Sequence, residues 1–308
     1  MRTVSCGALL LIFALSRSAF GGTFVAVKAP KRTSPGAAPA EELVQDGTAA
    51  LLPKGRALLR VTGESRYGLT PRFELRSTLG AWLMLVPNVD LRERVYVSKD
   101  LLVSTDYGFS IPSFSTRLLS GYLFPTNEVT GEALGFAIVP HLGIKLTVPI
   151  VFLPRQGSEF GTSRPGRRAW LTSALDIRGR ISAGGRMPTS LDTYAPIELA
   201  YAPYTTGYRT SASVTYKSPM SENTRLDIAL LADRTGKRSE GLLSPLFLGG
   251  RVELQMNLSA TFAFTFGATV YNYDQGATRI RIGNDGVAKR ERIRQTDLYP
   301  SADLAWLF

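Results

Sequence analysis

The chain has 308 residues, of which 44% are hydrophobic and 20% are charged. These proportions argue against a disordered chain and against a helical membrane protein. The formal net charge is +11, but the basic residues are scattered, apart from a run at 289–294. Scattered charge does not predict nucleic-acid binding. The 29 glycines, 12 tyrosines and 15 phenylalanines are typical of many short β-strands joined by turns.

Residues 1–22 have the pattern of a secretory signal peptide. Arg2 supplies the positive start, residues 4–15 form a short apolar core, and small residues follow it. The core is shorter than the roughly 20 apolar residues of a spanning helix, so cleavage between 16 and 22 is favoured over an anchor. The single cysteine, Cys6, lies in this segment. The exported chain is therefore expected to contain no disulfide.

Residues 23–54 are rich in Ala, Pro, Lys and Ser and predict a flexible periplasmic lead-in, with a short helix at 41–52. From residue 55 to residue 308 the pattern is an alternation of apolar and polar side chains, the period of a strand with one apolar face. The predicted strands are 56–67, 72–86, 114–124, 134–152, 167–184, 193–202, 207–217, 224–233, 245–256, 260–283 and 298–308.

The clearest of these strands lies at 260–273, where Phe262, Phe264 and Phe266 alternate with polar or small residues. A soluble β-sandwich also alternates, but here nearly every strand does so and no core for a second sheet is evident. In a transmembrane barrel the apolar side faces lipid and the polar side faces the lumen. Residues 89–111 hold one strand or two, with a turn at 98–100, which gives about twelve strands in all, within a range of ten to fourteen.

Two kinds of connection separate the strands. Tight turns are predicted near 68–71, 218–223 and 257–259, and longer polar connections at 154–167, 234–244 and 274–295. Transmembrane barrels place short turns on the periplasmic side and long loops outside. We therefore expect the three long connections at the end opposite the tight turns, the last of them as a protruding hairpin that turns at 284–286.

The final stretch, 298–308, alternates strictly. Ala302, Leu304, Trp306 and Phe308 share one side of the predicted strand. A strand at the end of the chain has to pair within a closed or protected sheet, because an open edge invites aggregation. We expect its neighbours to be 260–283 on one side and the first strand, near 56–66, on the other.

This ending resembles the C-terminal strand of Gram-negative outer-membrane β-barrel proteins. The opening at 48–55 (TAALLPKG) and 66–75 (RYGLTPRFEL) resembles that of small putative-transporter barrels, although Pro71 stands where Asp is more usual. The resemblance implies an all-β fold, a transmembrane antiparallel up-and-down barrel in the Gram-negative outer membrane. It also implies that Leu304, Trp306 and Phe308 are recognised by the barrel-assembly machinery.

Charged residues fall on the polar side of the predicted strands, because a charge facing lipid at mid-membrane costs about 2–4 kcal/mol. The candidate lumen-facing charges are Arg60, Glu64, Arg76, Lys145, Arg168, Asp176, Arg178, Arg180, Arg225, Asp227, Arg251 and Glu253. Two interpretations stay open. Opposite charges fill the interior as ion pairs, or a residual basic lumen passes small anions.

Sequence motifs for catalysis, cofactors or metals are lacking. The single histidine, His141, excludes His-pair zinc motifs, and there is no phosphate-binding or dinucleotide loop, so no cofactor or metal is expected. Some outer-membrane barrels are lipid hydrolases or acyltransferases that use a histidine with a serine. No local signature pairs a serine with His141, and we therefore predict that the chain is not an enzyme.

The leading hypothesis is a passive pore or transporter for small polar or anionic solutes. The alternative is a non-transporting structural or surface barrel, and the third is a lipid-modifying enzyme. The expected partners are outer-membrane lipids and lipopolysaccharide, whose phosphates the basic run at 289–294 could bind, although a solvated charged hairpin is the favoured explanation of that run. The sequence leaves the solute and the oligomeric state open.

Overall fold

The computed structural model describes residues 46–83, 85–98, 100–112, 136–150, 173–185, 195–220, 223–236, 245–282 and 288–308. All of them belong to one compact unit, Thr33–Phe308. The predicted signal peptide and residues 23–45 of the predicted lead-in lie outside the described residues, as does the predicted strand at 114–124.

Twelve antiparallel strands form a closed barrel in which each strand pairs with its neighbours in sequence. The strands are β1 (Ala57–Arg60), β2 (Glu64–Gly68), β3 (Phe73–Thr78), β4 (Asn88–Val97), β5 (Leu102–Ser110), β6 (Val139–Ile150), β7 (Ser173–Ala183), β8 (Tyr208–Pro219), β9 (Thr224–Thr235), β10 (Leu246–Asn257), β11 (Phe262–Ile282) and β12 (Ala288–Leu307). The barrel closes between β1 and β12, where Leu58 lies opposite Leu307 and Leu59 opposite Trp306. The predicted fold class and the predicted closure are both confirmed.

The barrel is apolar outside and polar inside. Leu230 on β9 is 70% exposed, whereas Glu74 on β3 is fully buried. Along β11, Phe266 and Val270 are exposed while Thr269 and Tyr271, on the other side of the strand, are buried. This distribution is the reverse of that in a soluble protein, and it suits a barrel whose outer surface contacts lipid.

Three stretches differ from the predicted elements. The prediction of a strand at 193–202 is wrong, because the helix α2 (Ala195–Thr205) lies there instead. The helix is apolar on several sides, and alternation within it is therefore a poor guide to strand structure. The predicted strand 56–67 divides into β1 and β2, and 72–86 ends early in the short helix α1 (Leu79–Leu83). Neither helix in the described ranges is long and apolar enough to cross a membrane.

The connections lie at the two ends of the barrel. The tight turns at 69–72, 98–101, 220–223 and 258–261 share one end, here called the turn end. Residues 154–167 lie outside the described residues. However, β6 ends at Ile150 and β7 begins at Ser173, and both residues are at the turn end. The prediction that this long connection leaves from the opposite end is wrong, because β5 leads away from the turn at 98–101 and the antiparallel β6 returns to the same end.

The wall has unequal strand lengths. β1, β2 and β3 contain 4, 5 and 6 residues, whereas β11 and β12 contain 21 and 20. The two long strands stay paired as far as Ile282 and Ala288, with an irregularity between Asp274 and Thr278. The predicted long final hairpin is confirmed over its paired strands, while its turn at 284–286 lies outside the described residues.

The inside-out pattern makes a prediction about Leu230. Leu230→Arg should lower the free energy of unfolding in lipid vesicles by about 2–4 kcal/mol, because the charge would face hydrocarbon near the middle of β9. The matched control is Leu246→Arg, also exposed but at the first position of β10, which should cost about 0–1 kcal/mol. Urea titration of both variants measures the difference. Equal costs would contradict a lipid-facing surface.

Candidate functional site

A stretch of chain before the first strand lies inside the barrel. Residues 46–52, here called the internal segment, are nearly all buried. The amide of Ala49 donates to Thr147 Oγ1 on β6 at 2.7 Å, and the amide of Leu52 donates to Glu74 Oε2 on β3 at 2.7 Å. Because the two acceptors lie on well-separated strands, the segment crosses the interior instead of following one part of the wall.

Basic side chains of the wall bind the carbonyl groups of the same segment. Arg66 Nη2 donates to the carbonyl of Ala50 at 2.6 Å, Arg92 Nη1 donates to that of Thr48 at 3.2 Å, and Lys145 donates to that of Gly47. Backbone groups occupied in this way are not free to form a helical hydrogen-bond ladder. The predicted helix at 41–52 is therefore absent from residues 46–52.

Asp46 ties the segment to the wall by charge. Its carboxylate lies 2.8 Å from Arg60 Nη1 and 3.1 Å from Arg66 Nη1. Burial alone would raise the pKa of this carboxyl, but the positive charges of Arg60 and Arg66, with Arg225 and Lys217 beyond them, hold its pKa well below the usual range. Asp46 therefore stabilises the folded state above about pH 4, and this contribution is lost as the pH falls.

Three arginines converge on one buried carboxylate of β5. Asp106 Oδ1 accepts from Arg76 Nη1 at 3.0 Å and from Arg92 Nε at 2.5 Å. Arg178 Nη2 on β7 is 3.6 Å from the other oxygen and donates to Glu64 Oε1 on β2 at 3.1 Å. Since β2 and β7 are not neighbours, this last pair joins opposite sides of the interior.

A second charged cluster lies beside the internal segment. Asp227 on β9 accepts from Lys217 Nζ at 2.7 Å and from Arg225 Nε at 2.8 Å. Lys217 also lies 3.7 Å from Asp176, which accepts a hydrogen bond from the Thr147 hydroxyl. Gly47 passes close to this cluster with a φ of 77°, and a Cβ there would be 2.9 Å from Lys217 Nζ. The close approach of the segment therefore depends on glycine.

His141 belongs to a third cluster. The imidazole is buried and its Nε2 contacts Asp90 on β4, while Arg180 Nη2 lies 3.5 Å from the other oxygen of Asp90. Ser182 is opposite His141 in the β6–β7 register. Among the hydrogen bonds that the structure gives for the described residues, the partner of His141 is Asp90, and none joins His141 to Ser182.

Helix α2 occupies the interior at the end away from the turn end. Its Leu199 packs with Phe247, Tyr271 and Tyr273, which point inward from β10 and β11. The carbonyl of Leu199 accepts from Arg209 Nη1 at 3.0 Å. The rings of Phe247 and Tyr273 stack with centroids 4.5 Å apart. The interior is thus occupied by the internal segment towards one end and by α2 towards the other.

The predicted lumen-facing residues can now be placed. Arg168 lies outside the described residues, and the others share the side of their strands that carries the buried polar side chains: Arg60, Glu64, Arg76, Lys145, Asp176, Arg178, Arg180, Arg225, Asp227, Arg251 and Glu253. Arg251 Nε and Glu253 Oε2 are 3.2 Å apart. Leu304, Trp306 and Phe308 lie on the outward side, where Trp306 and Phe308 are exposed.

Several residues of the interior were missed by sequence reasoning. They are the internal segment and the charges of β4 and β5, namely Asp90, Arg92 and Asp106. The alternation of Asp90, Arg92 and Arg94 was a usable signal, but the uncertain division of 89–111 concealed it. The segment at 46–52 has no periodic pattern, so nothing in it predicted its place in the lumen.

An apolar exterior, a charged interior and a closed antiparallel sheet together define the fold of an outer-membrane β-barrel. No protein-family model matches the sequence, and no curated protein matches it. Among the residues that the structure describes, no group of three His, Cys, Asp or Glu side chains is placed to hold a metal ion.

Solved outer-membrane proteins are similar to the chain at low sequence identity. OmpT of Vibrio cholerae matches 80% of this chain and 64% of its own at 8% identity, with a TM-score of 0.38. Its loop L8 deletion mutant matches 80% of this chain and 62% of its own at 7% identity, with a TM-score of 0.36. The COG4313 outer membrane channel of Pseudomonas putida F1 matches 85% of this chain and 98% of its own at 9% identity, with a TM-score of 0.39. The chain spans less than two thirds of the OmpT chains.

This comparison corrects the prediction that the chain is not an enzyme. Barrels similar to this one include OmpT of Vibrio cholerae, at 7–8% identity. A shared fold at this identity neither assigns a catalytic activity nor removes one, because function resides in sites and not in folds. Excluding enzymatic activity was therefore wrong.

The buried pair of Arg66 and Glu74 makes a second prediction. Glu74 Oε1 and Oε2 accept from Arg66 at 2.9 and 2.7 Å. Glu74→Ala should lower the free energy of unfolding by about 3–5 kcal/mol, because it leaves the Arg66 charge buried with fewer partners.

The control is Glu93→Ala, which removes a partner of Arg72 and of the Tyr107 hydroxyl; the side chains of Arg72 and Glu93 are 51% and 18% exposed. Because solvent reaches this pair, it should contribute less than the buried pair; an exposed pair contributes about 1 kcal/mol or less. Urea unfolding of both variants in lipid vesicles provides the comparison. A Glu74→Ala barrel as stable as Glu93→Ala would show that the interior pair is not needed.

Proposed function

We propose that the chain is an outer-membrane barrel that passes small polar solutes through its interior, which the internal segment obstructs at rest. One observation carries this proposal: the wall encloses a separate stretch of its own chain, residues 46–52, in addition to its own side chains. Interiors of about eight strands are filled by wall side chains alone, and a barrel with more strands encloses more space. Displacing the segment would free the cross-section of a polypeptide chain.

The contacts of the segment suit reversible displacement. Its backbone is bound by side chains of the wall, such as Thr147 and Arg92, and not by a strand ladder. Each hydrogen bond of this kind contributes about 1 kcal/mol net, or more where a charge takes part. Displacing the segment therefore breaks individual side-chain contacts and does not require any strands of the wall to separate.

Location and partners belong to the same proposal. The exposed apolar side chains of the wall would contact outer-membrane lipid, and the basic run at 289–294 would lie near lipopolysaccharide phosphates. Leu304, Trp306 and Phe308, which share the outward side of β12, would be read by the assembly machinery. These assignments extend the resemblance of the C-terminal strand.

The assembly assignment predicts the effect of a change at the last residue. Phe308→Ala should reduce the fraction of barrel that reaches the outer membrane folded, while Leu307→Ala should act mainly on stability, because Leu307 is buried inside the wall. Heat-modifiable gel mobility of membrane fractions, compared with refolding of the same variants in detergent, separates the two effects. Equal assembly of Phe308→Ala and wild type would remove the assignment.

A disulfide between the segment and the wall tests the pore. Ala49 and Thr147 are in contact, and the mature chain is predicted to have no cysteine of its own, so Ala49→Cys with Thr147→Cys supplies one defined pair. In planar bilayers the oxidised double variant should conduct less than the same protein after reduction. The two single-cysteine variants, which cannot form the bond, should not respond to reductant.

The alternative is a non-transporting structural barrel. It is favoured by the dense pairing of interior charges, such as the three arginines on Asp106. Under this alternative, the double variant would remain at the lipid baseline in both the oxidised and the reduced state. That result, together with a silent wild type, would remove the pore.

A further inference from the structure

In several interior ion pairs the arginine is more exposed than its carboxylate partner. The side chains of Arg178, Arg180 and Arg209 are 25–28% exposed, whereas their carboxylate partners Asp106, Asp90 and Asp233 are at most 8% exposed. The carboxylates lie against the wall, and the guanidinium groups stand in front of them. Solvent in the barrel therefore meets more positive than negative charge along this part of the wall, even though the charges are paired.

A fourth arginine extends the pattern. Arg251 on β10 is 37% exposed beside Glu253, which is 21% exposed. Glu64, the second partner of Arg178, is also accessible, at 33%. The accessible arginines of these pairs thus outnumber the accessible carboxylates.

The four arginines occupy consecutive inward-facing rows of the wall from β7 to β10. Arg178 and Arg180 are two residues apart on β7, and Arg209 lies opposite Ser182, one row further from the turn end. The row one step closer to the turn end than Arg178 contains Asp176 on β7. Following the paired residues across the sheet, this row continues through Thr215 and Ala229 to Arg251 on β10. The arginine ladder is therefore, in order from the turn end, Arg251, Arg178, Arg180 and Arg209.

We infer that this arginine ladder makes the proposed pore selective for small anions that carry carboxylate or phosphate groups. The inference rests on the proposed function. Successive rows are about 6.6 Å apart along a strand, so Arg178 and Arg180 of β7 are close enough to share a passing anion, as is Arg209 on the neighbouring strand β8, whereas Arg251 lies three strands from β7. Guanidinium groups bind carboxylate and phosphate with a planar fork of donors, and rows of arginine in a pore favour anions.

The buried carboxylates have a defined role in this ladder. Conduction requires binding that is strong enough to admit an ion and weak enough to release it. Each arginine already has a carboxylate within 3.6 Å, so a passing anion competes with a resident partner. Asp106, Asp90 and Asp233 thereby keep the ladder from holding an anion permanently.

The test is the zero-current potential of single channels in a gradient of potassium chloride, repeated with potassium phosphate and potassium acetate. The wild type should prefer anions. Arg178→Gln with Arg180→Gln should reduce the ratio of anion to cation permeability by about fivefold, the factor for roughly 1 kcal/mol of lost charge interaction. Arg251→Gln, whose partner Glu253 is itself 21% exposed, should reduce the ratio with little effect on folding.

The control is Arg72→Gln, which removes the same charge from the turn at 69–72, where the side chain is 51% exposed and paired with Glu93, and should leave the ratio unchanged. Glu253→Gln should change the ratio in the opposite direction. Heat-modifiable gel mobility shows that each variant is folded.

The outcomes separate the ladder from the pore. A wild type that conducts but prefers cations, or ladder variants that conduct with the wild-type ratio, would overturn the ladder and leave the pore intact. A wild type that never conducts, with the reduced cysteine pair equally silent, would overturn the proposed function and the ladder with it.

Discussion

Glu74 is the point at which the wall and the interior of this barrel are joined. Its carboxylate is fully buried, accepts two hydrogen bonds from Arg66 on the neighbouring strand and accepts a third from the amide of Leu52. A buried carboxylate needs partners of this kind because water does not reach it. The same group thus fixes the pairing of β2 with β3 and the position of the internal segment, and Arg66 carries the connection further to Asp46.

The two interpretations of the interior charges left open by the sequence turn out to be compatible. Ion pairs fill much of the lumen, as the clusters around Asp106 and Asp227 show. In several pairs the arginine is more exposed than its carboxylate, as in Arg178 with Asp106, so ion pairing does not by itself argue against the proposed passage of anions. A count of charges by sign cannot detect this, because it depends on how deep each side chain lies.

The sequence contained enough information for the class of fold but not for the contents of the barrel. Strict alternation in stretches such as 260–273 arises because the two sides of the wall face different environments, apolar outside and polar inside. That constraint acts on every residue of a strand. The internal segment is held by long-range side-chain contacts to Thr147 and Glu74, and such contacts leave no period in the sequence. Helix α2 was predicted as a strand because its apolar residues pack against side chains inside the barrel. A local sequence pattern carries no information about such long-range contacts.

The predicted number of strands was right partly through compensating errors. The single strand predicted at 56–67 is two strands, β1 and β2, with a turn at 61–63. The strand predicted at 193–202 is helical over the residues that the structure describes there, from Ala195 onwards. Very short strands carry too few residues for alternation to show where one ends and the next begins.

The unequal heights of the wall have a consequence for the surrounding bilayer. Strand β2, with 5 residues, rises about 17 Å at most, whereas the apolar band of an outer-membrane barrel is about 25 Å tall. Beside β1–β3 the lipid tails would have to shorten or tilt, at a cost of a fraction of a kcal/mol per ångström of mismatch. The exposed Leu79, Trp82 and Leu83 of α1 lie next to these short strands and cover part of the gap with apolar surface. In the proposed outer-membrane location the barrel would therefore match a thinner membrane on one side than on the other, and changes in lipid length would act on it from the side of β1–β3.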